Sequence, residues 1–171
     1  MTGSSKRTLP RPSWQEFWRH PEHLLAFGFG TGYSPVAPGT VGSVVGLAAF
    51  VLAEGLGLGL AGHLLVSAIG LVAGVAICRR SSERLGVHDH PGIVWDEIVG
   101  CYLTCSLVPE SAVWWGAAFG AFRAFDIIKP WPIRAMDHGL RGGVGIMLDD
   151  IVAALFAALS LHAVGRLGAF L

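Results

Sequence analysis

Two pairs of adjacent acids, Asp96-Glu97 and Asp149-Asp150, each stand at the edge of an apolar run. Carboxylates at a lipid boundary are costly unless they are paired or bind a metal. Clustered carboxylates with few softer donors suit a hard divalent cation, Mg2+ above all. His88-Asp89-His90 lies just before the first pair. Its two histidines would also admit Zn2+ or Mn2+, although they lack the i,i+4 helical spacing of metalloproteases. The helix macrodipole offers a plainer reason for one acid at a helix start, worth about 0.3–1 kcal/mol. It does not explain two adjacent acids occurring twice.

The candidate cations lie close to these acids. Arg123, Asp126 and Lys129 recur every three residues, which places them along one helix face. Lys129-Pro130-Trp131-Pro132-Ile133-Arg134 is stiffened by two prolines that hold Lys129 and Arg134 in position. Arg141-Gly142-Gly143-Val144-Gly145 precedes the second acid pair, and its glycines either free backbone N–H groups to cradle an anion or make a plain turn. Acids for a metal, fixed cations and glycine-rich loops together describe a phosphate site. The chemistry that needs all three is metal-assisted phosphoryl transfer. In this reading Asp96, Glu97, Asp149 or Asp150 holds the cation. Arg123, Lys129 or Arg134 clamps the phosphate, with Thr40 added to the phosphate-binding set. A carboxylate or His88 activates water, and an aspartyl-phosphate intermediate stays open. Cys78 and Arg84 have the Cys-x5-Arg phosphatase spacing, but the loop between them holds no glycine and Glu83 would repel a phosphate.

The elements that must position these groups are set by composition. Of 171 residues, 53% are hydrophobic and 14% charged, where an ordinary globular domain carries about 25% charged residues. The mean hydropathy is +0.58. This excludes a disordered chain, a coiled coil and a typical soluble enzyme. A net charge of zero gives no footprint for nucleic acid. Cys78, Cys101 and Cys105 lie in apolar stretches without metal-site spacing and read as apolar fillers.

The expected fold is all-α: a small bundle of about five short, Gly-rich, membrane-embedded helices plus an N-terminal interfacial helix. Residues 1–12 form a loose tail, and 13–171 a single domain. Ser13-x-x-Glu16 is a capping box opening a short helix with Trp14, Phe17 and Trp18, suited to the membrane boundary. A second short helix starts at Pro21. Val41 to Ile77 would make roughly 55 Å of helix, enough for two short crossings with a turn in Gly55–Gly62. Ile98 to Ile128 breaks at Pro109-Glu110 into two more helices, and Ile151 to Val164 gives a fifth. Gly42/Gly46, Gly70/Gly74 and Gly116/Gly120 are small-xxx-small pairs that let helices approach closely. With the N-terminus in the cytoplasm, eleven of the twelve Lys and Arg fall on the inner side, as do ten of the twelve acids. Asp96-Glu97, Asp126 and Asp149-Asp150 then all reach one face.

These residues closely resemble the phosphatidylglycerophosphatase A family, from about Pro21 to Leu161. The resemblance is carried by Gly28-Phe29-Gly30-Thr31-Gly32 with Ser34-Pro35, Pro38-Gly39-Thr40-Val41-Gly42-Ser43, and Val87-His88-Asp89-His90. It continues through Ile93-Val94-Trp95-Asp96-Glu97, Arg123 with Asp126, the Lys129 to Arg134 segment, and Gly142 to Val152. It implies an inner-membrane lipid phosphatase, and the expected topology puts the site on the cytoplasmic face. Such an enzyme would hydrolyse phosphatidylglycerophosphate to phosphatidylglycerol and inorganic phosphate with Mg2+. By motif position it makes Asp96, Glu97, Asp149 and Asp150 the metal and catalytic acids, with His88 and Asp89 nearby. The rivals are a small ion-coupled transporter, a non-enzymatic packing subunit, and a phosphatase of another phospholipid.

Overall fold

A computed structural model describes residues 11–87 and 90–168. The expectations for His88, Asp89 and nearly all of the tail concern residues outside these. Among the described residues the fold is all helical. Helix α1 (Trp14–Arg19) opens on the anticipated capping box: the Ser13 backbone N–H donates to Glu16, and the Glu16 N–H donates to Ser13 Oγ. Phe17 is buried beneath it, while Trp14 and Trp18 stay exposed. That is the pattern of a helix lying at an interface. Helix α2 (Pro21–Ala26) starts on its proline. The Gly28–Tyr33 turn then leads into α3 (Pro38–Gly55).

Gly57, at φ +77°, reverses the chain in the expected glycine stretch. Helix α4 (Leu60–Leu85) follows and stops at Gly86, whose left-handed backbone closes its last turn. Helix α5 (Trp95–Ser106) and α6 (Ala112–Ile128) flank the predicted break at Pro109-Glu110. Helix α7 (Ile133–Gly139) and α8 (Gly142–Gly168) complete the chain.

Five helices thus occur where five were expected, but they are not equal. Pro38–Gly55, Leu60–Leu85 and Gly142–Leu167 are long and apolar enough to cross a membrane. Helix α5, with 12 residues, rises only about 18 Å, against a hydrocarbon core of about 30 Å. It is instead buried among the others, with Val99, Cys101, Tyr102, Leu103 and Cys105 in the core. Leu52 on α3 and Leu65, Ile69 and Val72 on α4 point outward. A protein surrounded by water would not leave so many on its long helices. The chain is an all-α membrane protein. All three cysteines are fully buried and free, as fillers should be.

Glycine sets the spacing around α5. A Cβ at Gly46 would strike the Ile98 carbonyl, and one at Gly42 would meet Val94. Gly70 and Gly74 do the same for α4, against Val99 and against Met147 and Trp95. The third expected pair differs: a Cβ at Gly116 or Gly120 would meet nothing among the described residues. Two pairs therefore bring helices together, and the third does not do so among the described residues.

Helix α4 runs past its apolar part, and its polar end carries α2. His23 is buried and shares a 2.8 Å hydrogen bond with Ser81, while Arg84 pairs with Glu22 at 2.6 Å. Burial holds the His23 imidazole below the usual histidine range. The unfolded chain therefore takes up this proton first. His23 supports folding above pH about 6.5, and that support is lost as pH falls. We expect the thermal midpoint in detergent to drop between about pH 7.5 and pH 5.5, and His23→Gln to flatten the drop. An unchanged slope would remove His23 from this role.

Candidate active site

The starts of α3 and α5, the second and third turns of α8 and the end of α6 converge on one cavity of about 280 Å3. Asp96 and Glu97 enter from the first turn of α5, Asp149 and Asp150 from α8, and Arg123, Asp126 and Lys129 from α6. The Ala37–Gly39 backbone closes another side. Local sequence accounts for this convergence. Pro38 occupies the first turn of α3, where a missing N–H costs nothing. Lys129 adopts a left-handed backbone that ends α6 before Pro130. Gly100 lets α5 lie against α8, since a Cβ there would meet Phe122 and approach the Asp150 carbonyl.

Within the cavity, ligand oxygens of Asp96, Glu97 and Asp150 all lie within 4.8 Å of one another. Among the described residues, Asp96 Oδ1, Glu97 Oε2 and Asp150 Oδ2 are buried without a hydrogen-bond partner. Asp96 and Glu97 sit on the short α5, outside the membrane-crossing helices. Burial pushes the Asp96 carboxyl well above the usual range, and the Glu97 and Asp150 charges add to the rise. Burial also pushes Glu97 up to about 7, against the opposing pull of its Asp96 hydrogen bond and Arg123. Three carboxylates cannot all ionise in so small a buried space without a cation. Three hard donors this close together, each also carrying a buried oxygen without a partner among the described residues, fit a divalent metal of the Mg2+ type.

The cations are already held. Arg123 Nη1 pairs with Asp126 Oδ2 at 2.6 Å, donates to Ser43 Oγ at 3.4 Å, and stands 4.0 Å from Glu97 Oε1. Lys129 Nζ pairs with Asp149 Oδ2 at 2.6 Å. The predicted acid set therefore divides. Asp96, Glu97 and Asp150 converge on one another, whereas Asp149 lines the same cavity but faces Lys129. Arg123 and Lys129 line the cavity. Arg134 does not; it lies with Lys129 on an adjoining one. Thr40 is half-buried in the first turn of α3, one residue beyond the cavity wall. His90 is buried against Phe27, its Nδ1 accepting from the Gly92 N–H at 3.0 Å.

Two contributors were absent from the predicted site set. Asp126 anchors Arg123, and its i,i+3 spacing was the available signal. Gly39 is the other: a Cβ there would run into Glu97 Oε1 and crowd Arg123. Both are ends of flexible side chains, so Gly39→Ala should fold. The carboxylate and guanidinium would then be displaced, and displacements of about 1 Å cost on the order of a hundredfold in rate. We expect activity to fall by about tenfold or more, with a thermal midpoint within a few degrees of wild type. Retained activity would show that the contact is not needed.

The family model described as Phosphatidylglycerophosphatase A matches residues 24–165. Phosphatidylglycerophosphatase A of Escherichia coli (strain K12) is 44% identical over 148 residues, covering 86% of this chain and 85% of the relative. The protein of the same name from Haemophilus influenzae is 44% identical over 146 residues, covering 85% and 89%. A Bacteroides thetaiotaomicron protein, named provisionally as a phosphatidylinositol-3-phosphatase, is 36% identical over 150 residues, covering 84% and 92%. No solved structure matches the chain. Membrane helices, a buried carboxylate cavity and a match across most of its length make this chain a member of the phosphatidylglycerophosphatase A family.

Proposed function

We propose that the cavity hydrolyses the phosphomonoester of phosphatidylglycerophosphate, releasing phosphatidylglycerol and inorganic phosphate, with Mg2+ held by Asp96, Glu97 and Asp150. Family membership supports the substrate. The observation that carries the metal is this close trio of carboxylates, each with a buried oxygen unpartnered among the described residues. When bound, the cation would supply positive charge against the phosphate oxygens.

The chain's own residues do the rest. Arg123, fixed by Asp126 and Ser43, presents a guanidinium to the non-bridging oxygens and meets the charge that develops in transfer. Lys129, anchored on Asp149, adds a second positive charge. Among the described residues no side chain caps the first turn of α3, so its Gly39 N–H, at the cavity wall, is available to a phosphate. Water attacks phosphorus, the bond to the glycerol oxygen breaks, and that oxygen takes a proton as phosphatidylglycerol leaves. A cavity carboxylate accepts the proton of the attacking water.

We further place the protein in the bacterial inner membrane with the cavity facing the cytoplasm. Eleven of twelve Lys and Arg fall on that side of the expected topology, which is the orientation favoured for basic loops. A site at the boundary meets a lipid headgroup without drawing acyl chains out of the bilayer. The relative named for a phosphoinositide phosphatase favours a second substrate, another phospholipid monoester, on the same site. The test is phosphate release by the purified protein from mixed micelles of phosphatidylglycerophosphate with Mg2+. Rapid release is expected; release from phosphatidylinositol 3-phosphate alone would reassign the headgroup.

A further inference from the structure

Beside the carboxylate cavity lies a second one of about 520 Å3. The two share Lys129. Arg134, Trp131 and Ile128 also line the second cavity, and among the described residues lining it the charged ones are both cations. An apolar groove of about 250 Å3 adjoins it along Ile128 and Pro130 and is completed by Phe125 and Ala124. Ile128 and Trp131 are 73% and 82% exposed at this rim, as side chains meeting lipid would be. The three spaces run in series: acidic, cationic, apolar.

A phospholipid whose headgroup ends in a phosphomonoester presents its groups in a matching order: monoester, then phosphodiester, then acyl glycerol. We propose that the cation-lined cavity seats the phosphodiester of the substrate, with Arg134 as its ligand, Lys129 on the wall shared with the reacting phosphate, and the acyl-glycerol lying along the Phe125–Ile128 groove. This rests on the phosphomonoesterase reading of the first cavity and extends it to how the lipid is recognised. The two cavities suit different anions. A monoester dianion can enter among carboxylates when a divalent cation accompanies it. A diester monoanion needs no metal, and its two non-bridging oxygens match a guanidinium fork. Pro130 and Pro132 hold the backbone between Lys129 and Arg134, so the pair keeps its spacing. Lys129 stands on the shared wall, where the glycerol linking the two phosphates must pass.

The test measures steady-state kinetics on phosphatidylglycerophosphate in neutral-detergent micelles, with phosphatidylglycerol as inhibitor because it carries the diester and no monoester. Arg134→Ala should raise both the KM and the inhibition constant of phosphatidylglycerol by about ten- to a hundredfold, the loss of a charged hydrogen-bond partner. kcat should stay within threefold, and Arg134→Lys should recover part of the binding. Arg80→Ala removes another exposed cation from the end of α4 and controls for general attraction of anionic micelles. It should move neither constant. A fall in kcat with the inhibition constant unchanged would put Arg134 on the reacting phosphate and overturn the proposal. So would no change, or an equal effect of Arg80→Ala. Wild-type protein that releases no phosphate from phosphatidylglycerophosphate would instead overturn the underlying reading, and the wild-type arm alone shows it.

Discussion

Asp150→Asn is expected to lower phosphate release by about a thousandfold or more while leaving the protein folded. Asp150 lies where two helices meet. Its carboxylate comes from α8, yet it faces Asp96 and Glu97 of α5. Only 3% of the residue is exposed, and among the described residues Oδ2 has no hydrogen-bond partner. Asparagine has the same shape and keeps the packing, but it supplies no negative charge to a cation. The lost electrostatic stabilisation of several kcal/mol sets the expected rate effect. The stability effect runs the other way. Removing one of three mutually repelling carboxylates relieves repulsion in the metal-free protein, so its thermal midpoint should equal or exceed that of wild type. Glu97→Gln should behave alike. Phosphate release and a thermal scan on the same preparations check both halves. A fully active Asp150→Asn would remove the residue from the site, and an unfolded one would give it a structural role instead.

Removing divalent cations should be equally severe. Chelation is expected to take activity to background, and excess Mg2+ to restore it. The reason is again the trio of buried oxygens: without a cation they repel each other and the incoming phosphate. Binding to the folded state alone also raises stability, by about 2.7 kcal/mol at a hundredfold excess over the dissociation constant. Mg2+ should therefore raise the thermal midpoint of chelated wild-type protein. It should not do so in Asp150→Asn, which separates binding at this cluster from general ionic effects. Metal-independent hydrolysis would sink the mechanism. Stabilisation by Mg2+ that persists in Asp150→Asn would place the metal elsewhere.

Much of the fold was legible because its signals are local. The Ser13–Glu16 box, the Gly55–Gly62 turn and the Pro109-Glu110 break each act within one or two turns of chain. The lipid-facing character followed from the scarcity of charge. Span number was less legible, since α5 is as apolar as a crossing helix but too short, and its neighbours rather than lipid cover it. Hydropathy cannot distinguish those two surroundings.

The sequence by itself determined that Asp96, Glu97 and the α6 cations would stand at helix ends, near glycine and proline. Helical period and the positive-inside bias suffice for that, because both depend on positions along a single chain. Asp149 and Asp150, expected to open the last helix, lie about two turns inside α8. Only the tertiary structure decided who faces whom. It set Asp149 on Lys129 and left Asp96, Glu97 and Asp150 together. It moved Arg134 to the neighbouring cavity and brought Gly39 against Glu97. Among the described residues it left Gly116 and Gly120 with nothing to pack against. The physical reason is that a helix fixes the face a side chain occupies but not its partner. Partners depend on how closely two helices approach, and here glycines 42, 46 and 100 set that distance through contacts that are long-range in sequence.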